Sequence, residues 1–146
     1  MLGADRATLR EFYRTSWSRF AAGLPLEPLQ ALVADVIAEH PEYHDEIMAP
    51  DAASKQFTVE AGAVNPFLHM GMHIAVREQV GTDRPSGLKA EYKKLLKAVG
   101  SQHEIEHQMM ECLGQVMWQA ERDRQPPDER AFLSCVKRLR KAGRRG

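Results

Sequence analysis

His103-Glu104-Ile105-Glu106-His107, with Glu111 after it, is the stretch whose residue types and spacing most readily do chemistry. Residues four apart share one face of a helix, so His103, His107 and Glu111 line up with only about 40 degrees between neighbours. Two imidazoles one turn apart can grip a single metal ion, and a carboxylate one turn further can complete the site. The spacing recurs. His69 and His73 sit in a nearly uncharged stretch, and His40 and His44 form a third pair, so all 6 histidines fall in pairs four apart.

An imidazole without a partner among Met70, Val76 and Val80 would be costly, so His69 and His73 require one. The simplest arrangement lets their helix face the helix that begins near residue 101. That would gather His69, His73, His103 and His107, with Glu111 and Glu104, around one or two metal ions. Imidazole and carboxylate donors suit zinc or iron. The competing reading keeps the same histidines as hydrogen-bonded core groups without metal. For His40 and His44 that reading is preferred, because Pro41 between them breaks the helical alignment that gives the spacing its meaning.

The stretch from His103 to His107 also fits HExxH, in which Glu104 would be the general base of a zinc protease. Three features count against this. No familiar third ligand follows, no strand is available to hold a peptide, and Glu104 has a competing task as partner of Ser101 in a capping box. Glu104-x-x-His107 is similar to half of a di-iron carboxylate site in ferritin-like bundles. The second half is missing, since Pro66 and Met70 occupy the positions three before His69 and His73. The hemerythrin-like pattern shares the pairs but not their order.

The elements that must position these residues are helical. Leu9, Phe12, Tyr13, Trp17 and Phe20 mark an amphipathic helix over 5–21, with Arg6, Arg10, Glu11, Arg14 and Arg19 on its other faces. Gly23 to Pro28 breaks it, and a second helix follows over 27–39. His40-Pro41 ends that one, and Pro41 can open a short helix through Ile47. Residues 48–64 read as loop, Gln56 to Glu60 included. Asn65-Pro66 is a helix start, with asparagine as cap and proline in the first turn, and Gly71 within that helix admits a close neighbour. Ser86 is expected to cap a helix over 87–98, Ser101 another to about Arg122, and Asp128 the last. The basic end, about 140–146, is expected to fray. The fold class is therefore all-α, an irregular bundle of five to six helices in a single domain.

At 146 residues the chain can bury a substantial core as one domain. Its formal net charge of +0 gives no global reason to bind nucleic acid or anionic membrane. Lys137, Arg138, Arg140, Lys141, Arg144 and Arg145 read as a solvated helix end set favourably against the macrodipole. The uncharged run over 61–76 contains Gly, Asn, Pro and histidines, so it is a poor membrane span. Asp5, Arg6, Arg10, Glu11 and Arg14 interrupt any signal-peptide core, and the expected location is cytoplasmic. Cys112 and Cys135 have no CxxC spacing and are expected to be buried free thiols.

Asn65-Pro66-Phe67-Leu68-His69-Met70-Gly71-Met72-His73-Ile74-Ala75-Val76-Arg77-Glu78-Gln79 resembles a segment of domain-of-unknown-function family 1841, a proteobacterial family. Pro25 to Leu29, His40 to His44, Thr82 to Pro85, His103-Glu104 with Glu106-His107, Met109 to Leu113 and Pro126 to Glu129 are similar to its other segments. The resemblance implies a small bacterial cytoplasmic protein and supplies neither cofactor nor catalytic residues. The expectation for function is a helical protein that binds a metal ion between the helices of His69/His73 and His103/His107. The alternatives are a non-enzymatic interaction protein with a buried histidine network, and a metal-dependent hydrolase or oxidase. A protein partner stays open, while membrane and nucleic acid are disfavoured.

Overall fold

Helix ends in this chain are set by short polar side chains and prolines. In the computed structural model, which describes residues 5–55 and 65–145, Asp5 opens α1 (Arg6–Ala21) by accepting from the Thr8 amide at 2.8 Å. Pro28 begins α2 (Pro28–Ala38), where Glu27 and Gln30 form a capping box. Pro41 begins a 3-10 helix, Pro41–Tyr43, that leads into α3 (His44–Met48). Asn65 caps α4 (Pro66–Gly81), its side-chain oxygen accepting from the Phe67 and Leu68 amides at 3.0 and 3.1 Å. α5 (Leu88–Val99), α6 (Gln102–Asp123) and α7 (Glu129–Arg145) complete the chain.

The all-α class is as expected, with no strand among the described residues. The number of helices is not: seven α-helices are described where five to six were expected. The excess is the short α3, a single turn expected after Pro41 that a count of five to six leaves out. The start of α5 also differs. Ser86 does not cap it; the Asp83 carboxylate accepts from the amides of Gly87 at 3.2 Å and Lys89 at 2.9 Å. Those amides of Lys89 and Gly87 hold the Asp83 carboxyl below its ordinary range. The loop assigned to Gln56 to Glu60 lies outside the described residues. α7 runs on to Arg145.

Two compact units are present, residues 1–74 and 75–146, and the boundary falls inside α4. In the first unit α1 packs on α2 and α3. Tyr13, Val33, Val36, Ile37, Ile47, Phe67, Met70 and Ile74 form its core. Gly71 is closely approached there: a Cβ would stand 3.3 Å from the Tyr13 hydroxyl, which would have to give by a few tenths of an ångström. Arg10 departs from the solvent face assigned to it. It is 3% exposed, donates to the Ala52 and Lys55 carbonyls at 2.9 and 2.6 Å, and lies 4.7 Å over the Phe67 ring. The long arginine stem and flat head let it bridge two carbonyls of the 49–55 segment.

In the second unit α7 packs on α5 and α6. Cys112 and Cys135 are not free thiols: they form a disulfide joining α6 to α7, with Cα atoms 5.8 Å apart. Two helices joined by a short turn bring the cysteines within bonding distance, which the 23-residue separation alone does not reveal. Glu91 of α5 accepts from Arg140 of α7 at 2.9 Å, and Glu106 of α6 accepts from Arg77 Nε with both oxygens, at 3.1 and 3.0 Å. No helix among the described residues is long and apolar enough to cross a membrane.

Candidate metal centre

α4 supplies the first two groups. Its apolar sequence buries it, and its period places His69 and His73 one turn apart, so their rings meet edge to face with centroids 4.8 Å apart. Their Nε2 atoms are 3.2 Å from each other. Two nitrogens bound to one tetrahedral zinc at ~2.0–2.1 Å would be roughly 3.3 Å apart. The pair thus has the spacing of two ligands on one ion, as well as that of a hydrogen bond between unlike tautomers. His73 is 1% exposed and His69 is half-buried.

The third group comes from the end of α2. The residue before Pro41 cannot continue the helix, and His40 takes φ −127°, ψ 61°. Its ring folds back so that Nδ1 donates to the Val36 carbonyl at 2.7 Å, satisfying one of the last carbonyls of the helix. That bond fixes the proton on Nδ1 and leaves a lone pair on Nε2. This nitrogen is buried and has no hydrogen-bond partner among the described residues. The His40 ring stands edge-on to His73 and His69, with centroids 4.7 and 5.3 Å away. Each of the three rings offers a nitrogen, and these lie within 4.8 Å of one another. A histidine whose far nitrogen donates to a backbone carbonyl is oriented as metal-ligating histidines usually are.

The model of one protein family, described as "Domain of unknown function (DUF1841)", matches residues 5–138. The chain belongs to this family. Neither a curated protein nor a solved structure matches it. The span of the DUF1841 match takes in every histidine of the chain, from His40 to His107.

Within this DUF1841 domain the remaining candidates separate by burial. On α6, His103 is exposed and His107 half-buried, with ring centroids 4.2 Å apart. Glu104 and Glu111 are both exposed. Ser101 accepts from the Glu104 amide at 3.2 Å, the serine half of the anticipated capping box, while the Glu104 carboxylate accepts from Gln108 at 3.5 Å. Glu106, between the candidate ligands, is committed to Arg77. Neither carboxylate belongs to the histidine group.

His40 is the member that spacing did not identify. Pro41 does break the His40/His44 alignment as argued, and His44 goes elsewhere: its Nε2 donates to the Ile37 carbonyl at 2.8 Å and its ring lies 4.5 Å from Trp17. The signal for His40 was its place as a histidine at a helix C-terminus, immediately before proline, where an imidazole can cap a carbonyl and still present its other nitrogen. Tyr43 closes this side, stacked on His40 with centroids 5.6 Å apart. Burial, and then the charges of Glu42 and Glu46, raise its hydroxyl pKa.

Proposed function

We propose that this protein binds one transition-metal dication in an imidazole cluster made by His40, His69 and His73. The observation that carries the reading is His40 Nε2, a buried acceptor without a partner among the described residues, held in the ligating tautomer by the Val36 carbonyl. An unsatisfied buried nitrogen costs about 1–3 kcal/mol. A metal ion removes that cost and also accounts for the approach of His69 Nε2 to His73 Nε2.

Imidazole donors suit zinc, iron, copper and nickel. No carboxylate or thiolate joins the group among the described residues, which favours zinc before iron. Catalysis by a zinc-bound water calls for a general base beside it, and no carboxylate joins the group among the described residues. The reading is therefore a structural or sensory site rather than a hydrolase or oxidase.

A second reading keeps the rings as a hydrogen-bond network, and the 3.2 Å contact between His69 and His73 is the observation in its favour. Elemental analysis of protein purified without a metal-affinity tag separates the two. One equivalent of zinc or iron, lost on chelation and recovered on titration, is the expected result. Sub-stoichiometric metal together with no heat of binding on titration would leave the network.

A further inference from the structure

The same nitrogen has a conformational consequence, which rests on the metal reading above. His40 belongs to a corner built from very short elements, a three-residue 3-10 helix and the five-residue α3. α3 is anchored by Ile47, which is 0% exposed, and by the His44 bond to Ile37. The turn before it is held by the His40 ring bond to Val36, by the half-buried Tyr43 against the core and by backbone bonds, with no fully buried apolar side chain of its own. The His40 amide donates to the Ile37 carbonyl at 3.0 Å, the Tyr43 amide to the His40 carbonyl at 3.0 Å, and the His44 amide to the Pro41 carbonyl. Pro41 and Glu42 are exposed, and no side chain of the 3-10 helix is fully buried. Without an ion, the closed turn keeps His40 Nε2 buried with no partner among the described residues, and opening the turn relieves it by exposing the nitrogen to water.

We propose that metal occupancy acts as a latch on the His40–His44 turn: the ion closes it, and loss of the ion releases it while α1, α2 and Ile47 stay packed. The ligands His69 and His73 belong to a long helix with its own hydrogen bonds, so the part that moves is the one whose ligand sits at a helix end. Released, the turn exposes the Tyr43 ring, which in the closed form stacks on His40. The device would report metal status at the surface without reorganising the core, as local opening equilibria allow.

Hydrogen exchange on the full chain tests this, with zinc ion alone as the probe. Saturating zinc is expected to slow exchange at the Tyr43 and His44 amides by about 10- to 100-fold, the factor that relieving one unsatisfied buried group supplies at one decade per ~1.4 kcal/mol. Amides of α5 should not respond. In His40→Ala the zinc response at these amides should vanish. His69→Ala should keep it but shift its midpoint to higher zinc. Zinc bound at one equivalent with unchanged exchange at Tyr43 and His44 would overturn the latch and leave the metal site standing. Failure to bind zinc at all would overturn both.

Discussion

Replacing His73 with leucine probes the cluster where it is least exposed. His73 is 1% exposed and its Nε2 lies 3.2 Å from that of His69, so leucine fills the space but can neither ligate nor hydrogen-bond. In chelator, His73→Leu costs what removing one buried hydrogen-bond partner costs, roughly 1–3 kcal/mol. With free zinc at 100 times its Kd, binding stabilises the wild type by about 2.7 kcal/mol, and a variant lacking one of its ligands gains little of this. The stability gap between the two proteins should therefore widen by about 2.7 kcal/mol on going from chelator to zinc. For a chain of this size that corresponds to a difference in Tm on the order of 5–10 °C. The readout is Trp17 fluorescence in a Trp118→Phe background, since the chain has 2 tryptophans and Trp17 lies 4.5 Å from His44 in the first unit. A gap of the same size in chelator and in zinc would refute the ion and leave a network of hydrogen bonds.

Three further outcomes follow from the packing. Arg10→Met removes a charged donor from the Ala52 and Lys55 carbonyls and should lower stability by about 2–3 kcal/mol in urea titration, with unchanged midpoints counting against its anchoring role. Replacing both cysteines with serine opens a loop with a sequence separation of 23 residues and should cost roughly 3 kcal/mol, whereas equal stability of the variant and the oxidised wild type would show that the crosslink constrains nothing. Burial works to raise the Glu91 pKa, but the hydrogen bond and charge of Arg140, with Lys94 and Lys137, outweigh it and hold the carboxyl below its ordinary range. A folded pKa below the unfolded one means that the contribution is complete above the ordinary carboxylate range and is lost as pH falls through the lowered value. Glu91→Gln should therefore flatten the acid limb of a stability–pH curve, and an unchanged limb would contradict this.

Where local chemistry decided the outcome, the fold was legible. Asn65, Ser101 and Asp128 each accept from an amide in the first turn of the helix they precede, because a short side-chain oxygen there satisfies a donor that no other group reaches. Gly71 was read as a point of close approach, and the approaching atom is the Tyr13 hydroxyl. The misreadings share a cause. Arg10 looked like one of several arginines on a polar face, and its burial depends on carbonyls more than forty residues away. The disulfide likewise depends on how α7 folds back along α6. Neither long-range neighbour has a signature in local periodicity.

The histidines show what spacing can and cannot decide. His69 and His73 lie on one uninterrupted helix, so a separation of four puts their rings in contact, as read. His103 and His107 meet for the same reason. On His40 and His44 the proline argument was correct about the pair but said nothing about each ring singly. Both rings cap carbonyls at the end of α2, His44 through Nε2 on Ile37 and His40 through Nδ1 on Val36. His44 uses its outer nitrogen for that bond. His40 uses its inner one, which leaves Nε2 buried and with no partner among the described residues. Membership in the candidate site thus turns on which ring nitrogen is already engaged by the backbone. That choice follows from the φ and ψ that Pro41 imposes on His40, not from the number of residues between one histidine and the next.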